Sequence, residues 1–422
     1  MTIGIIASII FILGYIGITL EHKTHINKSA FALITGTLLW VLVGLTNPHA
    51  IDEHIIEAGF DIFSITIFLL GAMSLVEILI HYRLFDIIRD KLLSFNVSIK
   101  KQFIILSILA FFLSGIIDNL TTTIVLIQIA RKFFWKENLL VAAVSIVIAA
   151  NAGGAFSPIG DVTTIMLWIA GKFSASEIIL KGFLPVVVLA TISTFLLSFK
   201  IKKEDTISEE IKVSEPMTSG EKVVITAALF SFLLPILAKT VHLPPVMGIL
   251  LGVGVTWFIV DLLKGVSTCR THLTASIENL VQKTDISSIK FFIGILLAVS
   301  ALSALGILEY VSHVIYGETG EVMRIISGNI IIGLISSILD NIPLTAIAID
   351  ILETTDTDLW ILLALSVGTG GSLLPIGSAS GVIAMGLIKD LTFKEYIRIG
   401  FIPAFVAFCF AVLVWAAQTF LF

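Results

Sequence analysis

Two stretches decide the fold: Ser114-Gly-Ile-Ile-Asp118-Asn119-Leu-Thr-Thr-Thr123 and, in the second half of the chain, Ser336-Ser-Ile-Leu-Asp340-Asn341-Ile-Pro-Leu-Thr345. Ser, Asp, Asn and Thr recur in the same order and spacing, and each Asp-Asn pair stands near the centre of an apolar run, at 103–130 and at 325–351. An aspartate at membrane depth costs about 2.5–3.5 kcal/mol on insertion scales, so its presence there marks function by default. The arm from Phe103 to Ile117 makes only about 22 Å of helix at roughly 1.5 Å per residue, short of the roughly 30 Å hydrocarbon core. A re-entrant hairpin, entering and leaving on one side, sets each Asp-Asn tip near mid-depth.

The 422-residue chain as a whole is 57% hydrophobic and 14% charged, with a mean hydropathy of +1.06. A compact water-soluble chain has no room to hide that much apolar surface, so the class is an all-α polytopic membrane protein. The formal charge of −5 gives no footprint for nucleic acid. Cys269 and Cys409 define neither a disulfide framework nor a metal knuckle. Met1 to Ser8 lacks the basic segment of a cleaved signal, so the first apolar run reads as retained.

Continuous spans are expected at 3–20, 29–45, 62–80, 179–199, 223–238, 245–263, 291–310 and 399–421. Two more crossings, at 137–171 and 359–388, are broken in the middle by Gly, Pro and small polar residues, each into two half-helices. Lysine and arginine decide how 103–130 and 325–351 behave. With both as hairpins and the N-terminus outside, 22 of the 26 basic residues fall on the cytoplasmic side. With both as spans the division is 14 to 12. The positive-inside rule selects the hairpins. The expectation is ten crossings, two opposed re-entrant hairpins, two broken helices and both termini outside.

The broken helices repeat as well: Gly153-Gly154 matches Gly370-Gly371, and Pro158-Ile-Gly160 matches Pro375-Ile-Gly377, at an offset of 217. Residues 1–199 form a first repeat, with its hairpin at 103–130 opening to the cytoplasm and its broken helix at 137–171. A charged cytoplasmic linker occupies 200–222. Residues 223–422 form a second repeat, with its hairpin at 325–351 opening outside and its broken helix at 359–388. An odd number of crossings per repeat inverts the second copy. Segments 51–61 and 271–286 read as interfacial helices on opposite faces. Inverted repeats with discontinuous helices are transporter architecture, with the site at the midplane between repeats.

Three carboxylates fall at that depth: Asp118 and Asp340 on the hairpin tips, and Asp161 after the Pro158-Ile-Gly160 break. No Lys, Arg or His is near them in sequence, so the site reads as anionic and needs a bound cation or a proton. Asn119, Asn341, Thr122, Thr123, Thr345, Ser157, Thr163, Ser378 and Ser380 offer further oxygen ligands, the donor type hard cations take. Sodium is expected on Asp118, Asn119, Asp161, Asp340 and Asn341. Asp-Asn at the start of a second helix also fits plain N-capping. Glu77, Glu309 and Asp350 lie nearer span ends and read as interfacial.

With SGIIDNLTTT, SSILDNIPLTA, NAGGAFSPIGD and GTGGSLLPIGSASG, the chain resembles NhaD-type sodium/proton antiporters of the ion-transporter superfamily. The resemblance implies a multi-pass protein of the bacterial cytoplasmic membrane, embedded in the lipid bilayer as a homodimer. It implies sodium, and lithium with it, exported against entering protons, with no cofactor. It also implies an elevator-like movement of a transport domain against a scaffold. Sodium-coupled carboxylate carriers of that superfamily have Ser-Asn-Thr at the tips, where this chain has Asp-Asn. The alternatives are a same-fold carrier of a neutral oxyacid such as arsenite or a sodium-coupled carboxylate transporter. An intramembrane aspartyl protease needs Gly-x-Gly-Asp, and Pro158 stands where its first glycine belongs.

Overall fold

The computed structural model describes residues 2–24, 26–46, 51–94, 97–202, 217–266, 286–317 and 321–421. Among them all regular structure is helical. The first part of the chain carries α1 (Thr2–Thr19), α2 (Glu21–Thr24), α3 (Lys28–Thr46), α4 (Ile51–His81), α5 (Leu84–Ser94), α6 (Ile99–Ser114), α7 (Asn119–Ala130), α8 (Lys136–Ala155), α9 (Val162–Ile169) and α10 (Ala175–Ser198). The second carries α11 (Ser219–Ser231), α12 (Leu234–Thr240), α13 (Pro245–Val266), α14 (Ile286–Ala304), α15 (Ile307–Tyr316), α16 (Val322–Ile335), α17 (Asn341–Ile351), α18 (Thr357–Gly370), α19 (Ala379–Leu387) and α20 (Phe393–Leu421).

Eight segments among the described residues are long and apolar enough to cross a bilayer: Lys28–Thr46, His54–His81, Lys136–Ala155, Ala175–Ser198, Ser219–Thr240, Pro245–Lys264, Ile286–Ala304 and Phe393–Leu421. The protein is a multi-pass membrane protein. Local chemistry sets several boundaries. Ser174 with Glu177, and Thr218 with Glu221, form capping boxes that start α10 and α11 by satisfying first-turn amides.

Three expected elements differ in detail. The 223–238 run is divided into α11 and α12, with Pro235 opening α12, where its missing N–H costs nothing. The 291–310 run ends as a helix at Ala304, because Gly306 takes a φ of 68° before α15 begins. Segment 51–61 is no separate interfacial helix but the start of the 31-residue α4. Most of the second interfacial segment, 271–285, and of the linker, 203–216, lies outside the described residues.

The helices sort into two groups. α3 packs along α14, α1 along α3, α11 along α13, and α4 against α13 and α14. The other group joins α6–α10 to α16–α20, through α10 with α20, α7 with α19, α9 with α17, and α8 with α18. Packing between the halves is reciprocal: α3 on α14 is answered by α13 on α4, α7 on α19 by α17 on α9, and α10 on α18 by α20 on α8.

The atomic contacts keep the sequence offsets. Ser114 Oγ donates to the Ala150 carbonyl at 2.6 Å, and Ser336 Oγ to the Val367 carbonyl at 2.9 Å. A Cβ at Gly153 would lie 1.9 Å from the Phe111 oxygen, and one at Gly370 1.9 Å from the Gly333 oxygen. Helices approach this closely only where a side chain is absent. α8 is buried from Leu140 to Ala155, and α18 from Leu359 to Gly370. These two helices carry the interruptions to the centre of the molecule. The pieces are unequal, 20 and 8 residues in α8 and α9, 14 and 9 in α18 and α19.

Candidate ion-binding site

The break after α8 turns the chain at residues 156–161, and Asp161 then occupies the N-cap position of α9. Its side chain makes no cap hydrogen bond. Ser378, its counterpart by the 217 offset, does cap, accepting from the Gly381 amide at 3.3 Å. Asp161 is instead turned inward, 2% exposed. Asn119, at the tip between α6 and α7, donates its amide to Oδ1 at 3.3 Å. Asn341, at the tip between α16 and α17, donates to Oδ2 at 3.3 Å. Equivalent asparagines of the two tips thus take one oxygen each of a single carboxylate. Among the described residues no cationic side chain forms an ion pair with it. Gly368, on α18, stands where its absent Cβ would lie 3.4 Å from Oδ2.

Asn151, on α8, ties this centre to the second break. Its Oδ1 accepts from Asn119 at 3.1 Å and from Ser380 Oγ at 2.7 Å. Its Nδ2 donates to Ser372 Oγ at 2.9 Å and to Ser378 Oγ at 3.0 Å. Ser378 and Ser380 are 2.9 Å apart, and the Tyr396 hydroxyl donates to the Ser372 carbonyl. Asn151, Ser372 and Tyr396 are residues that sequence reasoning left out of the site. Asn151 had a signal, as an amide inside a 20-residue apolar helix. Tyr396 had none.

The remaining expected residues divide into three kinds. The hydroxyls of Thr122, Thr123 and Thr163 are buried without a hydrogen-bond partner, and such orphans call for a water or an ion. Thr345 donates back to the Asn341 carbonyl at 2.7 Å, and Ser157 accepts weakly from the Ile159 amide at 3.4 Å. Asp118 and Asp340 perform the capping role: Asp118 Oδ1 accepts from the Thr121 amide at 2.7 Å, and Asp340 Oδ1 from the Ile342 amide at 3.3 Å. Among the described residues no three acidic, His or Cys side chains come together to hold a metal ion. The structure gathers Asn119, Asn341 and Asp161 and keeps Asp118 and Asp340 on the tips. Asp340 also has a cationic partner that sequence proximity concealed: Lys28 Nζ lies 3.5 Å from Oδ2.

Two cavities lie between the two helix groups. One, of about 250 Å³, lies between α1, α3 and α14 on one side and α19 with the turn between α16 and α17 on the other, reaching Lys28, Asp340 and Ser378. The other, of about 80 Å³, lies between α4, α9, α14 and α17 and includes Asp61 and Asp350. Around the smaller cavity α17 packs on α14 and α9 on α4.

Interrupted helices that bring a buried carboxylate and a pair of amides to one point within a multi-pass bundle define a transporter. Residues 9–359 match the family described as CitMHS, citrate transporter, and the chain belongs to that family. It is similar to "Sodium/proton antiporter 1" of Arabidopsis thaliana, 36% identical over 405 residues, 93% of this chain and 68% of the relative. To "Sodium/proton antiporter 2" of the same plant it is 34% identical over 406 residues, 93% of this chain and 94% of the relative. To "Na(+)/H(+) antiporter NhaD" of Alkalimonas amylolytica it is 32% identical over 415 residues, 91% of this chain and 84% of the relative. The NhaD resemblance therefore holds over nearly the whole chain, and the protein is a transporter rather than an enzyme.

Proposed function

We propose that the protein exchanges cytoplasmic sodium, and lithium with it, for external protons by alternating access. The observation that carries this is Asp161, buried, held by one asparagine from each hairpin and without a cationic partner. A lone carboxylate at that depth needs its charge neutralised, and a proton or a small cation does so equally. Rotation of the Asn119 and Asn341 amides about their terminal torsion replaces N–H donors by carbonyl acceptors. The same residues then serve the cation-free state as donors and the sodium-bound state as ligands, with Thr122, Thr123 and Thr163 hydroxyls in reserve. Proton and sodium compete for one group, and that competition couples their movement.

The family description raises a carboxylate cargo as the second reading. Citrate would meet the Asp161 charge in a low-dielectric site, where repulsion is large, and Lys28 is already engaged by Asp340.

Cross-chain contacts support the two opposed hairpins. Asn27 bonds Ser287 at 2.6 Å, Lys181 pairs with Asp358 at 2.5 Å, Lys200 bonds the Arg398 carbonyl at 3.1 Å, and Arg131 bonds the Leu387 carbonyl. With two hairpins and ten crossings each pair lies on one face. Were 103–130 a span, Asn27 and Ser287 would be separated by the membrane; were 325–351 a span, so would Lys181 and Asp358. Reciprocal packing and an odd number of crossings per half support the inverted repeat. The two helix groups supply a scaffold and a moving body for an elevator, in a homodimer. The larger cavity opens beside Lys28 and Ser288, on the cytoplasmic face of this topology, so the conformation faces inward.

The test uses purified protein in vesicles with a trapped pH dye and an imposed pH gradient. Sodium and lithium dissipate the gradient; potassium and choline do not. Silence to all four, with a response to citrate, overturns the exchange reading in favour of the carboxylate one.

A further inference from the structure

The wall of the larger cavity holds an ion pair that the exchange reading does not use. Lys28 Nζ lies 3.5 Å from Asp340 Oδ2 and 4.3 Å from the centre of the Phe291 ring. The Lys28 amide donates to Glu21 Oε1 at 3.1 Å, which ties the start of α3 to α2. The Asp340 amide donates to the Tyr15 hydroxyl at 2.9 Å. The second hairpin tip is thus held by α1 and α3, both in the other helix group. The pair is one-sided. Asp118, the counterpart of Asp340, forms no ion pair among the described residues. Leu250 stands at the position that matches Lys28 by the spacing of the two tips.

Resting on the exchange reading above, we propose that Lys28 is a positioning residue for transport: its ammonium is a tethered counter-ion on Asp340 that sodium arriving through this cavity must displace. Oδ1 of Asp340 is committed to the helix cap, so Oδ2 is the oxygen that Lys28 and an incoming cation contest. Displacement frees the tip from α3, which links arrival of the ion to release of the hairpin. Sodium reaching the site from the opposite face meets no such competitor, because Asp118 has no lysine across from it.

The experiment compares wild type, Lys28→Met and Lys28→Arg in membrane vesicles of both orientations, reading half-saturating sodium and maximal rate. Lys28→Met is expected to lower half-saturating sodium by about twofold to fivefold on the cytoplasmic face, the effect of a partly exposed ion pair, and to leave the opposite face unchanged. Lys28→Arg keeps the wild-type value. The sodium concentration giving half-maximal thermal stabilisation of the solubilised protein shifts by the same factor, a readout independent of turnover; Lys28→Gln replaces Lys28→Met if the latter does not fold. Unchanged half-saturation on both faces, an equal shift on both, or a loss of maximal rate alone overturns the proposal while the wild type still exchanges. A wild type without sodium-driven proton movement overturns the exchange reading instead.

Discussion

Asp161→Asn separates charge from packing, because the amide has nearly the same shape and the side chain is 2% exposed. A monovalent cation about 4 Å from a carboxylate gains about 4 kcal/mol at an effective dielectric near 20. Removing the charge therefore weakens sodium binding by about a thousandfold and abolishes exchange. Stability moves differently. An aspartate at membrane depth costs about 2.5–3.5 kcal/mol, most of which the neutral amide relieves. Against this, one of the two asparagine N–H groups now faces an N–H, losing a bond worth about 1.5–3 kcal/mol to a charged acceptor. The net lies between about zero and 2 kcal/mol of stabilisation. The dye-loaded vesicles report exchange, and thermal unfolding of the solubilised protein reports stability. Expected are silence to sodium and a melting temperature equal to or a few degrees above wild type. Exchange with wild-type sodium dependence would refute the role given to Asp161. A melting temperature lowered by ten degrees or more would make the carboxylate a structural acceptor instead.

Competition at one carboxylate sets the sign of the pH response: protonation neutralises Asp161, so half-saturating sodium rises as pH falls, approaching tenfold per unit once the group is mostly protonated, and a pH-independent value would contradict shared binding. Gly153→Ala and Gly370→Ala each drive a Cβ to 1.9 Å from a backbone oxygen and should destabilise by about 1–3 kcal/mol or more; Gly59→Ala, with nothing within 4 Å of its Cβ, is the neutral control in thermal unfolding. In cells expressing a Cys269→Ser/Cys409→Ser background, single cysteines at Lys181 and Lys239 should react with an impermeant thiol reagent, and those at Arg131 and Arg398 only after permeabilisation. Labelling of position 131 from outside would sink the first hairpin.

The membrane makes much of this protein legible from residues alone. Hydrocarbon tolerates few charges and no unpaired backbone, so Asp118-Asn119, Asp340-Asn341 and the paired Gly-Pro breaks announce interruptions wherever they fall. Basic residues report sidedness because their distribution follows the membrane and not the fold. Residue type alone leaves the three aspartates equivalent, and only the tertiary structure ranks them. Asp118 and Asp340 cap their own helices, whereas the turn at 156–161 aims Asp161 away from its cap and between asparagines from opposite halves of the chain. Asn151 becomes the hub because α8 is packed on every side, and Lys28 meets Asp340 across 312 residues of chain. The open side, too, belongs to packing. The cavity of about 80 Å³, where α17 packs on α14 and α9 on α4, and the cavity of about 250 Å³ beside Lys28, Asp340 and Ser378 differ through the packing of distant helices, which no residue pattern announces.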